Sequence, residues 1–445
     1  MFAYRRWLLY LLLLLIATLA ALPVAADTSA SSFSSDLARD WSDLHLRLIR
    51  RTWGFSPPVA ARALGYLGVT LYESVVPGMP DHQSLVGQLN GLDELPQPIP
   101  DASYHWPSAA NSALAAMTRM MFPTTHAGHK AAIDELYARY AAEYQLATDA
   151  DTFARSVEFG QQIADAIYEW SMTDGGHEGY RRNFPADFEY PVGEGLWQPT
   201  QRSKGNPQRP MQPRWGENRP FVLASGAECA PEPPPAYSED PESDFYAEAF
   251  EVYDTVNNLT AEQLEIARFW ADDPFRTATP AGHSISILTQ VLERENASLA
   301  TAAEAYARVG IGISDAFISC WNTKFQYNLI RPVTYIQHVI DPNWASPLTT
   351  PPFPEYPSGH SVESSATAAI LSSMFGDDYA FTDETHAEWG LPSRSFESFS
   401  DFAQEAAISR IYGGIHYRSA VENGIEQGRC IADRVNTLQF RAGNA

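Results

Sequence analysis

Cysteine is scarce in this chain: Cys229, Cys320 and Cys430 are the only three in 445 residues. Three cysteines close at most one disulfide, which excludes a disulfide-built scaffold and leaves the pairing open. None of them has zinc-ligand spacing. The nearest metal-like pattern, His126-x-x-His129, sits in the loop-like context FPTTHAGHK and reads as a surface turn. Basic residues are few as well, 30 Lys and Arg against 54 Asp and Glu, for a net charge of −24. That balance opposes nucleic acid and anionic membranes as partners. It also means that any anion site must be assembled from a local cluster of bases. Strand signals are thin: Val/Ile/Thr alternation is rare, and no Asn-Gly or Asp-Gly pair is flanked by strand-like runs. There is no internal repeat.

Long apolar runs are missing except at the N-terminus. There, Arg5 and Arg6 precede the run Leu8 to Ala21 and the small residues Val24-Ala25-Ala26. This is the pattern of a secretory signal peptide over 1–26, cut after Ala26, and Pro23 favours cleavage over a retained anchor. The remainder, 27–445, is ample for a large core and carries no further segment fit to span a membrane. The expected location is secreted or periplasmic.

What is present is helix. Leu37, Trp41, Leu44 and Leu48 recur at helical spacing between Ser35 and Trp53. Pro57-Pro58 opens a second helix that ends at Pro77-Gly78, and others are expected near 107–121, 130–145 and 150–173. Over 174–242 the composition turns to Pro, Gly and scattered aromatics, including Trp197 and Trp215. This is the signature of a long loop packed on the body. Helices resume with the capping box Thr260-Ala-Glu-Gln263 and follow near 283–294, 298–328, 360–375, 398–412 and 418–438. The fold class is therefore all-α, a multi-helix bundle with long Pro/Gly-rich wrapping loops. The chemistry-bearing helices lie within 260–440.

Three stretches of that second half concentrate bases. In DAFISCWNTKFQYNLIRPVTY, Lys324 and Arg331 are seven residues apart, two helical turns and nearly one face, and Trp321 shares the stripe with Asn328. Pro332 places Arg331 in the last turn of that helix. In FPEYPSGHSVESSATAAIL, Pro357 precedes Ser358, Gly359 and His360 at the start of an apolar helix. Free amides at such an N-terminus suit an anion; Ser358 adds a hydroxyl, Gly359 allows close approach, and His360 can carry a proton. In AAISRIYGGIHYRSAVENG, Gly413-Gly414 separates Arg410 from His416, so that one helix end and the next helix start converge. Taken singly, Pro-Ser-Gly-His reads more readily as a capped turn with a satisfied histidine, and the third stretch has a plain helix hairpin as its alternative. The Lys/Arg stripe, shared with Trp in an apolar helix, is poorly suited to a solvated face.

Lys-x6-Arg-Pro, then Pro-Ser-Gly-His, then Ser-Arg-x5-His, in this order, resembles the signature of the type 2 phosphatidic acid phosphatase superfamily, and within it the vanadium-dependent haloperoxidases. FWADDPFRTATPAGH, PPVAARALGYLGVTLYE and GLWQPT…RWGENRPFVLASGA are similar to the haloperoxidase branch, so the resemblance covers most of the chain. It implies that Lys324, Arg331, Ser358, Gly359 and Arg410 bind the oxygens of an oxyanion. It makes His416 the apical ligand of vanadium and His360 the acid–base group, with Lys324 also polarising peroxide. Asp273 is implied as an acidic partner of Arg410.

The implied cofactor is vanadate, with phosphate as a competing occupant. The implied co-reactants are hydrogen peroxide, a halide and a small organic acceptor. Phe353 and Trp321 are implied walls of the halide pocket; aromatic walls favour chloride oxidation, with bromide oxidised more readily. An acid phosphatase working through a phosphohistidine is the alternative, and a non-catalytic oxyanion-binding protein the third reading. The superfamily pattern places an Asp four residues after the second histidine. Here that position is Ala420, with Glu422 or Asn423 as candidate substitutes.

Overall fold

A computed structural model describes residues 29–200, 202–203, 206–207 and 209–442. The expected signal peptide and its cleavage site lie outside the described residues. Thirteen α-helices account for most of the described chain: α1 (Asp36–Arg51), α2 (Pro57–Val75), α3 (Trp106–Met121), α4 (Ala127–Ala147), α5 (Ala150–Ser171), α6 (Asp244–Asn257), α7 (Ala261–Phe269), α8 (Thr279–Arg294), α9 (Leu299–Tyr327), α10 (Pro332–Val339), α11 (Gly359–Phe375), α12 (Phe399–Tyr412) and α13 (Arg418–Asn436). Among the described residues, strand is confined to two small antiparallel pairs, β1–β2 (Arg202–Ser203, Asn206–Pro207) and β3–β4 (Phe381–Asp383, Arg394–Phe396). No described helix is long and apolar enough to cross a membrane.

The 29-residue helix α9 is buried along almost its whole length and forms the axis of the molecule. It packs on α2 because small residues let the two backbones approach. A Cβ at Gly68 would stand 2.3 Å from the Tyr306 carbonyl oxygen, a distance no side chain tolerates. The same device locks α11 against α13. A Cβ at Gly428 would meet the Val362 carbonyl oxygen at 2.2 Å. The N-terminus of α11 is thereby held beside α13, and the Ser358 amide donates to the Ala420 carbonyl at 2.9 Å.

The described residues of the 174–242 stretch wrap on the body. Trp197 and Trp215 are buried, and the amide of Trp197 donates to the Asn328 carbonyl at 2.6 Å. Buried Asp315 on α9 accepts the amides of Phe221, Val222 and Leu223 at 2.7, 2.9 and 3.2 Å, which fastens the loop to the axis. A disulfide between Cys229 and Cys430 ties it to α13; Cys320 is free and buried. His126 caps α4 by accepting from the Gly128 amide and His129 lies in the first turn, so the pair is a helix start where a surface turn was expected.

Two helices were not legible in the sequence. Helix α6 follows the Pro-rich stretch directly, capped by Ser243, and buries Phe245, Ala249 and Val252. Helix α10 is the second, and it changes the reading of Arg331. Helix α9 ends at Tyr327, Asn328 turns left-handed (φ 48°), and Arg331 is the extended N-cap of α10. Arg331 therefore does not project from the last turn of α9. The pre-proline restriction excludes the helical region at Arg331, and Asn tolerates the left-handed stop three residues earlier.

Candidate active site

The site forms where the end of α9, the strap 353–358, the N-terminus of α11, the last turn of α12 and the segment before α13 meet. Lys324, Arg331, Ser358, Arg410 and His416 are all buried there, and His360 keeps 16% of its side chain exposed. His416 feels Arg331, Lys324, Arg410 and His360 electrostatically, so the three base-bearing stretches do converge on one point. Burial and those cations hold its imidazole well below its ordinary range, so the ring is neutral.

The cations differ in what they are free to do. Lys324 Nζ donates to the carbonyls of Pro354 (3.1 Å), Glu355 (2.8 Å) and Pro357. All three ammonium donors are thus directed at the strap and none at an anion, which differs from the oxyanion contact expected of Lys324. Desolvation brings Lys324 down to about 8. Arg331 also braces the strap, donating through Nε to Phe353 (2.9 Å) and through one terminal nitrogen to Pro354 (3.3 Å). Its other terminal nitrogen reaches the Ile415 carbonyl at 2.8 Å and lies 3.3 Å from His416 Nε2. Arg410 donates to the Trp270 carbonyl, while its buried Nε has no partner among the described residues. Burial brings both arginines down to about 10.

Asp273, expected to pair with Arg410, acts on it only at a distance, and Asp272 acts more strongly. Asp272 is the residue that adjoins the site: its Oδ2 lies 3.9 Å from His360 Nε2. Burial and Arg410 keep His360 well below its ordinary range, and its Nε2 has no hydrogen-bond partner among the described residues.

Ser358 is the N-cap of α11, its Oγ accepting from the Ser361 amide at 3.3 Å, which leaves its hydroxyl proton available. The amides of Gly359 and His360 belong to the first turn, which has no intrahelical acceptor. A Cβ on Gly359 would stand 3.7 Å from Trp321, an ordinary contact, so packing alone does not demand glycine here.

Glu355 was missed. Its Oε1 accepts from the Tyr417 amide at 3.0 Å and lies 2.7 Å from His416 Nδ1. An oxygen already accepting from an amide also accepts from the imidazole, so Nδ1 carries the proton and Nε2 carries the lone pair. Burial pushes Glu355 up to about 8, against the pull of Arg331 and Lys324. Glu422 and Asn423 do not serve in this role: Glu422 lies 3.8 Å from Arg418, and Asn423 donates to the Tyr356 hydroxyl at 2.9 Å. The available signal was an acidic residue between two prolines in an otherwise apolar strap.

Phe353 and Trp321 pack together with ring centroids 4.9 Å apart, and Lys324 Nζ lies 5.2 Å from the Phe353 ring centre. Trp321 is fixed by donating from its indole to the Met211 carbonyl at 3.2 Å.

The family described as the VCPO second helical-bundle domain matches residues 339–442. Among curated protein sequences, none matches this chain. Among solved structures, a bacterial vanadium-dependent iodoperoxidase is similar with a TM-score of 0.83 and 37% identity, covering 93% of this chain and 98% of that one. The holo form of a bacterial vanadium-dependent chloroperoxidase shares the fold at 18% identity, with a TM-score of 0.68 and coverage of 87% and 92%. An apo-type bacterial vanadium-dependent chloroperoxidase gives 0.66, again at 18% identity, over 86% of this chain and 92% of that one. On identity sustained over nearly its whole length, the chain belongs to the vanadium-dependent haloperoxidases.

Proposed function

We propose that this haloperoxidase would hold vanadate at His416, and that it uses hydrogen peroxide and one proton to oxidise halide, giving hypohalous acid and water. The carrying observation is the Glu355–His416 pair, which presents a neutral imidazole lone pair to three buried cations. The donor set fits an oxyanion. Glu355 is the carboxylate that acts on Lys324 and Arg331, and its own burial weakens its charge, while Asp272 and Asp273 act on Arg410. Buried cations so weakly offset on the His416 side are best compensated by an anion. Arg410 Nε, the Ser358 hydroxyl and the first-turn amides of α11 are donors of the right kind, and Arg331 supplies a planar fork. Phosphate has the same shape and charge type and competes.

Vanadate supplies a Lewis acid that activates peroxide. The protein's own residues do the rest. Glu355 fixes the tautomer of His416, and Arg331 and Arg410 bind and neutralise the anion. His360, neutral and with a free Nε2, takes a proton from entering peroxide and returns one to the leaving oxygen. Lys324 shapes the strap and contributes positive charge beside Phe353; contact with the anion requires it to release one carbonyl. Phe353 and Trp321 exclude water from that side, which strengthens the field of Lys324. The oxidised halogen passes to a small organic acceptor.

On the halide, the aromatic wall supports bromide oxidation with measurable chloride oxidation. The likeness to an iodoperoxidase favours a second reading, in which iodide is the main substrate. We further propose export, supported by the pattern of residues 1–26 and by the Cys229–Cys430 disulfide, a bond of oxidising compartments. The test is to purify without phosphate, add orthovanadate, and follow peroxide-dependent halogenation of a phenol dye. Equal rates with and without vanadate would overturn the proposal.

A further inference from the structure

Beside His360, and sharing Asp272 Oδ2 with it, lies a second polar cluster whose histidines the haloperoxidase chemistry does not use. It comprises Asp272 (after α7), His283 (α8) and His386 (after β3), all buried, with ligand-capable atoms within 4.8 Å of one another. His283 Nε2 lies 2.7 Å from Asp383 Oδ2 and its Nδ1 lies 2.8 Å from Asp272 Oδ2. His386 Nε2 lies 3.4 Å from Asp272 Oδ1. Both nitrogens of His386, which is 1% exposed, and Oδ1 of Asp272 lack hydrogen-bond partners among the described residues. Asp272, His283 and His386 also line a cavity of about 680 Å³ that runs out past Arg50 and Glu388.

The geometry points to a divalent transition-metal site of the zinc type, with Asp272, His283 and His386 as ligands and Asp383 as the outer carboxylate. Two imidazole nitrogens and one carboxylate oxygen are the donor set of such an ion, and water from the cavity completes a fourth position. The 3.4 Å between His386 Nε2 and Asp272 Oδ1 is the edge of a tetrahedron around a metal bound at about 2.1 Å. Asp383 accepts from Nε2 of His283 and turns Nδ1 towards Asp272; without a metal Nδ1 donates to Asp272 Oδ2, so binding an ion there displaces that proton. The main competitor is a purely structural Asp–His–Asp clamp, which explains the contacts of His283. It leaves the buried Nδ1 of His386 without a partner among the described residues, and the Nε2–Asp272 contact long for a hydrogen bond.

The test uses the full vanadate-loaded protein, freed of other metals with a chelator and titrated with Zn2+ by calorimetry. Co2+ absorption reads the coordination number. The expected result is one equivalent of Zn2+ per chain and a four-coordinate Co2+ spectrum. His386→Ala should weaken Zn2+ binding at least tenfold, and so should Asp272→Asn. Because Asp272→Asn removes a buried charge and can fail to fold, His386→Ala at the cavity wall carries the decision, with its fold checked by circular dichroism. His416→Ala should still bind one equivalent. Absence of stoichiometric binding, unchanged binding in His386→Ala, or loss of binding in His416→Ala would each overturn the assignment.

Discussion

Glu355 and His416, 61 residues apart in the chain, meet at 2.7 Å between Oε1 and Nδ1 inside a pocket of buried cations. Position 420, where the superfamily pattern has Asp, is Ala, and Glu355 is the carboxylate that contacts His416. Glu355→Gln keeps the shape but offers an amide that can turn either an oxygen or a nitrogen to the imidazole. Removing such an outer partner typically costs 10–100-fold in metal affinity. Vanadate affinity, measured by equilibrium dialysis, should fall by roughly that factor. Unchanged retention would deny Glu355 its orienting role.

The two histidines should separate binding from turnover. His416→Ala removes the proposed protein–metal bond, so tight vanadate retention should be lost. His360→Ala removes a proton carrier, so retention should largely survive while turnover drops by about 10²–10⁴-fold. Dialysis and steady-state rates on the same preparations check both. Loss of binding in His360→Ala alone would reverse the two roles.

Halide choice should depend on Phe353. Replacing it with His puts a hydrated, titratable ring against Lys324, whose Nζ lies 5.2 Å from the present ring centre. Chloride oxidation should fall more than bromide oxidation, with iodide least affected, in rates measured at mildly acidic pH. A vanadate-loaded wild type that turns over iodide but neither bromide nor chloride would support the iodide reading instead.

Glu363, one turn into α11 beyond His360, gives a pH-dependent stability. Burial pushes its carboxyl up to about 8, while Ser284 (2.8 Å) and Ser364 (3.0 Å) pull it back. The folded value lies above the unfolded 4.5, so its contribution is complete below pH 4.5 and is lost as pH rises towards 8. Glu363→Gln stays neutral throughout. Its melting temperature should gain on wild type as pH is raised across that window, and a constant difference would contradict the argument.

The Cys229–Cys430 bridge spans 201 residues of sequence and anchors the wrapping loop to α13. Paired replacement by Ser should lower unfolding stability by roughly 2–5 kcal/mol. Denaturant unfolding of the double variant, compared with wild type, measures it.

The sequence by itself determined the helical class and most helix positions, because apolar spacing and caps such as Thr260–Gln263 are local properties. It also brought Lys324, Arg331, Ser358, His360, Arg410 and His416 under suspicion, through spacing that recurs in a known superfamily. Only the tertiary structure decided the partners. Glu355 lies in an extended strap where no period says which way a side chain faces, so its pairing with His416 was not readable. Lys324 turned its donors to carbonyls rather than outward because a buried ammonium takes the nearest acceptors. Asp272, not Asp273, adjoined His360, a one-residue distinction in a loop where Asp272 adopts a positive φ of 46°. Helix α10 followed the same logic: a left-handed Asn and a pre-proline Arg can end one helix and start another, and only the packing of Tyr335 and Ile336 shows that they do.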